Sequence, residues 1–270
     1  MNRLYIILFS FILLVSCSNQ KMNWETDFDK ALEMSKSENK PIMIDVYTDW
    51  CGACKEMEKT TFVNKDVINN SSNFIMLKYN PEKVSNGNDF LNKYSILGFP
   101  TMLFMNSDGF IIRRIVGYIE SDELINEMNG IKEKEENIKR VFKDDSISIE
   151  KLDIYLDSGY AREASETYDT LVSENKIPED SRAKYMSKIA LMLLDIEDND
   201  KAMNYFNEMI DKYTNYNEVY IAYYYRGLDM IVNNGQTNEG LKYIESFTNT
   251  VPAEMKEAYM SFIDYFSSTN

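Results

Sequence analysis

The sequence predicts a mixed α/β domain followed by an all-α domain of helical repeats. Three observations carry this. The first half orders its elements as βαβ and then ββα. No segment from Ser146 onward reads as a strand. Within that later region a pattern recurs every 38 residues. The 270 residues suffice for about two domains of ~100–200 residues each.

The elements begin with a helical pattern over Trp24 to Asn39, where Phe28, Ala31, Leu32 and Met34 recur at near-helical spacing and Pro41 ends it. Pro41 to Tyr47 is a short apolar run with β-branched and aromatic members, the signature of a buried strand. A helix is predicted from Cys51 to about Asn69, and a second, parallel strand over Phe74 to Tyr79. A helix near Asp89 to Tyr94 follows. Strands at Thr101 to Met105 and Phe110 to Val116 flank Asn106-Ser107-Asp108-Gly109, a hairpin composition, so they should run antiparallel. A last helix starts after Ser121. The result is a small mixed sheet with helices on both faces, spanning residues 24–130.

Residues 131–145 are dominated by lysine and glutamate and read as a solvated helix or linker. Residues 146–270 are helical pattern broken at Ser158-Gly159, Asn175 to Pro178, Asp198 to Asp200, Asn233 to Gly235 and Thr250 to Pro252. In the repeat, Ala164, Tyr168 and Leu171 match Ala202, Phe206 and Met209, then Gly240, Ile244 and Phe247. A small residue followed four later by a bulky one lets two helices approach and lock. This resembles the second helix of a tetratricopeptide repeat, although that family's period is 34 and its tryptophan signature is missing here. Ala253 to Phe266 would close the array, since a terminal repeat otherwise exposes an apolar face.

The N-terminus reads as an export signal over residues 1–16. Arg3 is the only charge in the first twenty residues, and Leu4 to Val15 is almost entirely apolar. Such a run is shorter than the ~20 residues that span a bilayer but suits a signal-peptide core. Leu14-Val15-Ser16-Cys17 resembles the lipobox of bacterial lipoproteins, which implies lipidation of Cys17 and a polar tether over residues 17–23. An ordinary cleaved signal with an incidental cysteine is the competing reading. Acyl chains would add about 0.8 kcal/mol of membrane affinity per buried methylene. The expected location is therefore the bacterial cell envelope, extracytoplasmic and lipid-anchored.

Composition narrows the chemistry. The chain has no histidine, which excludes histidine triads, histidine general bases and histidine-ligated metal. Its 44 acidic against 29 basic residues give a net charge of −15, unfavourable for binding nucleic acid. Two of its three cysteines form Cys51-Gly52-Ala53-Cys54 at a predicted strand-to-helix junction. A helix N-terminus favours the thiolate of the first. The second lies one turn on, close enough to close a disulfide and expel a bound partner. A zinc site would need two more ligands that the sequence does not supply, and a purely structural bridge over so short a loop removes little unfolded-state entropy. A redox dithiol is the reading left.

From Pro41 to about Met128 the chain resembles the thioredoxin family, and within it the C-terminal extracytoplasmic domain of the DsbD type. The resemblance rests on Lys40 to Lys59, on Thr61-Phe62, on Lys78-Tyr79-Asn80 and on Leu97-Gly98-Phe99-Pro100-Thr101. It implies that Cys51 attacks and Cys54 resolves. It implies that Asp45 is a buried acid able to take the Cys54 proton, with its pKa raised by burial, and that Lys78 pairs with it. Pro100 would be a cis-proline facing the thiols, leaving the Phe99 backbone free for an extended substrate, with Trp50 as an apolar platform. No cofactor is implied. Gly-Ala stands between the cysteines where thioredoxin has Gly-Pro. The membrane electron-carrying module of DsbD has no counterpart here, so the electron donor must be a separate protein such as a membrane thiol carrier.

The function expected is a membrane-tethered thiol-disulfide oxidoreductase that reduces or exchanges disulfides in exported proteins. Asp45, Asp49, Glu56 and Glu58 around the thiols oppose a strongly oxidising cysteine and favour reduction. The alternative is a helical-repeat adaptor with a regulatory or vestigial redox head. Four tyrosines at 220 and 223–225 could form a docking face, but at helical spacing they read first as core and boundary of a helix. Cys17→Ser should release the protein from the membrane fraction or block its maturation. Acyl-free native protein by mass spectrometry, with unchanged membrane association, would refute the lipobox.

Overall fold

The computed structural model describes residues 22–268; the predicted signal peptide and Cys17 lie outside these. The first element is α1, Phe28–Glu38. It starts later than the sequence pattern suggested. Asp27 caps it, its side chain accepting the Lys30 N–H. Ahead of it Glu25 bridges to Leu77 in parallel fashion, donating its N–H to the Met76 carbonyl and accepting from Lys78 N–H. The segment before Asp27 is therefore a strand-like cover, not a helix.

Strand β1 is Ile42–Val46. The long helix predicted from Cys51 to Asn69 is two: α2, Gly52–Lys59, and α3, Lys65–Ser71. Two β-branched threonines end α2. Thr60 Oγ1 donates to the Glu56 carbonyl and Thr61 Oγ1 to the Ile119 carbonyl, and Asn64 then caps α3. Then follow β2 (Ile75–Tyr79), α4 (Gly87–Lys93), β3 (Thr101–Met105), β4 (Ile111–Val116) and α5 (Ser121–Val141). The sheet order is β2-β1-β3-β4, with β1 and β2 parallel and the other pairs antiparallel.

Strands β1 and β3 are buried throughout, which is why they read as apolar runs broken only by Asp45 and Thr101. Successive residues alternate between two cores. Met43, Met76, Met102 and Phe104 face Met57 of α2, Val67 of α3 and Leu124 and Met128 of α5. Ile42, Ile44, Leu77 and Leu103 face Ala31 of α1 and Phe90 of α4. The segment with linker-like composition is the second half of α5, and its Ile131, Ile138 and Val141 are buried in the first of these cores.

Seven further helices complete the described chain. These are α6 (Ile149–Ser158), α7 (Ala161–Ser173), α8 (Glu179–Asp195), α9 (Asn199–Lys212), α10 (Val219–Val232), α11 (Thr237–Phe247) and α12 (Ala253–Ser268). Consecutive helices pack as pairs α6–α7, α8–α9 and α10–α11, with α12 against α11. The three sets of the 38-residue pattern fall on α7, α9 and α11, the second helix of each pair. Their small residues explain the close packing. A Cβ on Gly240 would lie 2.8 Å from the Gly227 carbonyl oxygen, and one on Gly227 2.3 Å from Ile244. The tyrosines of α10 are half-buried, Tyr223 stacking on Phe247 and Tyr225 on Phe206.

The two domains are packed together at β4. The Tyr160 hydroxyl accepts the Ile111 N–H at 2.9 Å, and its ring stacks on Phe110. Gly159, at φ +82°, closes over Arg114, and a Cβ there would meet the guanidinium at 2.4 Å. That guanidinium donates to the carbonyls of Tyr94 and Ser95. Because backbone blocks the space beside Gly240, Gly240→Val should destabilise the helical domain by about 1–3 kcal/mol. A urea midpoint by far-UV circular dichroism equal to that of the unmodified protein would contradict the close α10–α11 contact.

Candidate active site

The site begins where β1 ends. Its backbone turns through Thr48 to Trp50 into Cys51, the N-cap of α2. Cys51 and Cys54 are joined in a disulfide, and the Cys54 N–H points at the Cys51 sulfur at 3.1 Å. Free N–H groups of a helix start favour negative charge on that sulfur once the bond is reduced. Both cysteines are nearly buried.

Asp45 is 2% exposed on the central strand β1. Alternation puts it on the same side of the sheet as Met43, the side covered by α2. Burial pushes its carboxyl up to about 6, against the opposing pull of Lys78. An acid with that proton affinity can hold or accept a proton near neutral pH. Lys78 is its direct neighbour across the β1–β2 ladder, and burial lowers the ammonium pKa. The salt bridge of Lys78, however, is made with Glu58 of α2. Its ammonium also lies 5.2 Å from the ring centre of Trp24 and 5.3 Å from that of Tyr47. Lys78 thus acts on Asp45 through space while its ion pair belongs to Glu58.

The opposite wall is Phe99-Pro100, joined by a cis peptide bond immediately before β3. Val46 of β1 pairs with Thr101, which brings this turn beside the Cys51 loop. Trp50 is 66% exposed and meets Phe99 edge to face, ring centres 5.8 Å apart. Its indole N–H donates to Glu82 at 2.8 Å. Six of the seven positions predicted for the redox site, Asp45, Trp50, Cys51, Cys54, Phe99 and Pro100, are therefore gathered at one end of the sheet, and the seventh, Lys78, flanks them.

The acidic surround expected from the sequence is half neutralised. Asp49 forms an ion pair with Lys83 at 2.7 Å, and Glu58 is engaged by Lys78. Glu82 and Lys83 were not singled out in the sequence, because 32 and 34 residues separate them from their partners. Glu58 was counted only as charge. Its place one turn after Cys54 was the available signal that it faces the same side. Among the described residues no group of acids and cysteines could hold a metal.

The disulfide at the N-cap of α2 thus lies at the same end of the sheet as the Phe99-Pro100 turn and the buried Asp45. Residues 28–132 match the family model of the thioredoxin-like domain. Over 102 residues the chain is 35% identical to the thiol:disulfide interchange protein DsbD of Actinobacillus pleuropneumoniae serotype 5b, covering 37% of this chain and 18% of that protein. The DsbD protein of Vibrio cholerae is 34% identical over 110 residues, 38% and 18% of the two chains. The chain thus spans less than a fifth of the length of these relatives. Among solved structures, the oxidised C-terminal domain of Neisseria meningitidis DsbD is similar at 23% identity and TM-score 0.36, covering 40% of this chain and 97% of that one. A putative disulphide-isomerase from Bacteroides thetaiotaomicron is similar at 29% identity and TM-score 0.38, covering 42% and 95%.

Asp45 makes stability depend on pH in a definite direction. Its folded pKa of about 6 lies above the ordinary 3.8, so ionisation opposes folding. The penalty is absent below about pH 4 and complete above about pH 6, where a shift of this size is worth about 3 kcal/mol. Asp45→Asn should therefore raise the unfolding midpoint at pH 8 and leave it unchanged at pH 3.5. A gain of equal size at both pH values would show that the carboxyl is not buried uncharged.

Proposed function

We propose that the chain is an extracytoplasmic thiol-disulfide oxidoreductase that reduces or exchanges disulfides in exported proteins. The observation that carries this is the Cys51–Cys54 bond at the N-cap of α2, with the buried Asp45 on the α2 side of the sheet. In the reduced form the Cys51 thiolate attacks a client disulfide. A Cys51–client bond forms and the client's other sulfur leaves as a thiolate. Cys54, losing its proton toward Asp45, then attacks Cys51. The intramolecular disulfide closes and the second client thiol departs. Two electrons pass from the protein to the client, and a separate dithiol protein must return them. Trp50 and Phe99 supply an apolar surface beside the sulfurs.

The anchor belongs to the same reading. Cys17 would hold the protein on a bacterial envelope membrane. Among the described residues no helix is long and apolar enough to cross one. The helical pairs are read as tetratricopeptide-like and as the surface that recruits the client or the donor.

Cys51→Ser should abolish dithiothreitol-driven reduction of a model protein disulfide, and turnover that survives it would rule out the catalytic assignment. Cys54→Ser should accumulate client adducts on non-reducing gels that vanish with reductant, because no second thiol resolves them. Failure to trap anything specific, with partner recovery that depends on the helices alone, would favour the adaptor.

A further inference from the structure

An open cleft runs between the two domains, and its lining includes Leu97, two residues before Phe99. One lobe, of about 550 Å³, lies between Tyr94 to Leu97 on the sheet domain and Gly159 to Glu163 with Asp195 to Glu197 on the helical one. The adjoining lobe, of about 230 Å³, reaches Val116. Both lobes share Ser95, Arg114, Gly159, Asp195 and Ile196, so they form one groove.

Two apolar side chains, Leu97 and Val116, stand in its lining close in sequence or register to the Phe99-Pro100 turn. Leu97 and Val116 are each 67% exposed, unusual for residues of their size. Leu97 stands two residues before Phe99. Val116 pairs with Thr101, and the next residue, Gly117, donates its N–H to the Pro100 carbonyl. The main-chain N–H and C=O groups of Leu97 and Phe99 have no partner among the described residues. Unpaired main chain in line with exposed apolar side chains is what a strand-like segment requires. Beyond the rim, Arg114 and Arg162 face Asp195 and Glu197, so the groove carries both signs of charge and selects neither.

The groove is held open by the interdomain packing. The Tyr160–Ile111 hydrogen bond and the Gly159–Arg114 contact fix the α6–α7 turn against β4 at its roof. We infer that this cleft binds the extended polypeptide flanking the client's reactive cysteine. The substrate class is thus a flexible or unfolded segment, whose main chain pairs along Leu97–Phe99 and passes between the domains. This inference rests on the oxidoreductase reading and specifies its substrate.

The test uses the full chain, pre-reduced, and synthetic peptides whose single cysteine is held as a disulfide with thionitrobenzoate. One series is extended on the N-terminal side of the cysteine and another on the C-terminal side. One of the two series should lower the half-saturating concentration by about fivefold or more once the flank reaches about ten residues, enough to cross the groove. Arg162→Trp and Glu163→Trp fill the cleft from the exposed first turn of α7. Each should abolish the gain from the flank while leaving the unflanked disulfide reduced at the wild-type rate. No length dependence in either series, or a gain that persists in both blocked variants, would overturn the inference. Failure of the unmodified protein to reduce even the unflanked disulfide would overturn the oxidoreductase reading, and this one with it.

Discussion

A four-stranded sheet buried on both faces is the constraint on which the molecule depends. Such a sheet needs helices on each side and something at each margin, because an unpaired strand is a template for other chains. α1 and α4 cover one face, and α2, α3 and α5 the other. At the β2 margin the chain around Glu25 adds a bridge. At the β4 margin α6 and Tyr160 close the edge. The helical domain is thus part of how the sheet is completed, which explains why its first pair packs on β4 and why Phe110, Phe142, Tyr155 and Tyr160 form one aromatic seam across the junction.

Against this apolar economy Asp45 stands out. A carboxylate in the middle of a buried strand opposes folding whenever it is ionised. Its neighbour Lys78 is held by Glu58 and by aromatic rings, so compensation reaches Asp45 only through space. A well-paired carboxylate would have been stable and inert. One held near the middle of the physiological range can exchange its proton with a thiol. Stability is given up at the point where the proposed mechanism calls for proton transfer.

Most of the sheet domain was legible because its signals are local. Short, mostly apolar runs marked β1 and β3, and Asn106 to Gly109 marked the hairpin. The cysteine pair marked its own helix start. Errors arose where a side chain chose a partner that sequence spacing does not reveal. The helix after Cys51 was read through Thr60 and Thr61, and the role of Thr61 depends on the distant Ile119 carbonyl. Trp24 and Glu25 carried a helical pattern but were drawn to β2. In the site, Lys78 was visible as the neighbour of Asp45, whereas its bond to Glu58 and the grip of Glu82 on Trp50 were not. The cleft was invisible, since it is made by two domains and no residue pattern encodes their packing.

The bridge at Glu25 has a consequence for distance. It pins the chain to the sheet eight residues after Cys17. Covalent geometry allows eight extended residues to span at most about 28 Å. An acyl chain at Cys17 would therefore keep the sheet within about that height of the bilayer, less than the length of a 20-residue helix. The disulfide would then search a shallow layer above the lipid in two dimensions. Clients emerging from the membrane, or anchored to it, would meet it far more often than those diffusing freely beyond that layer.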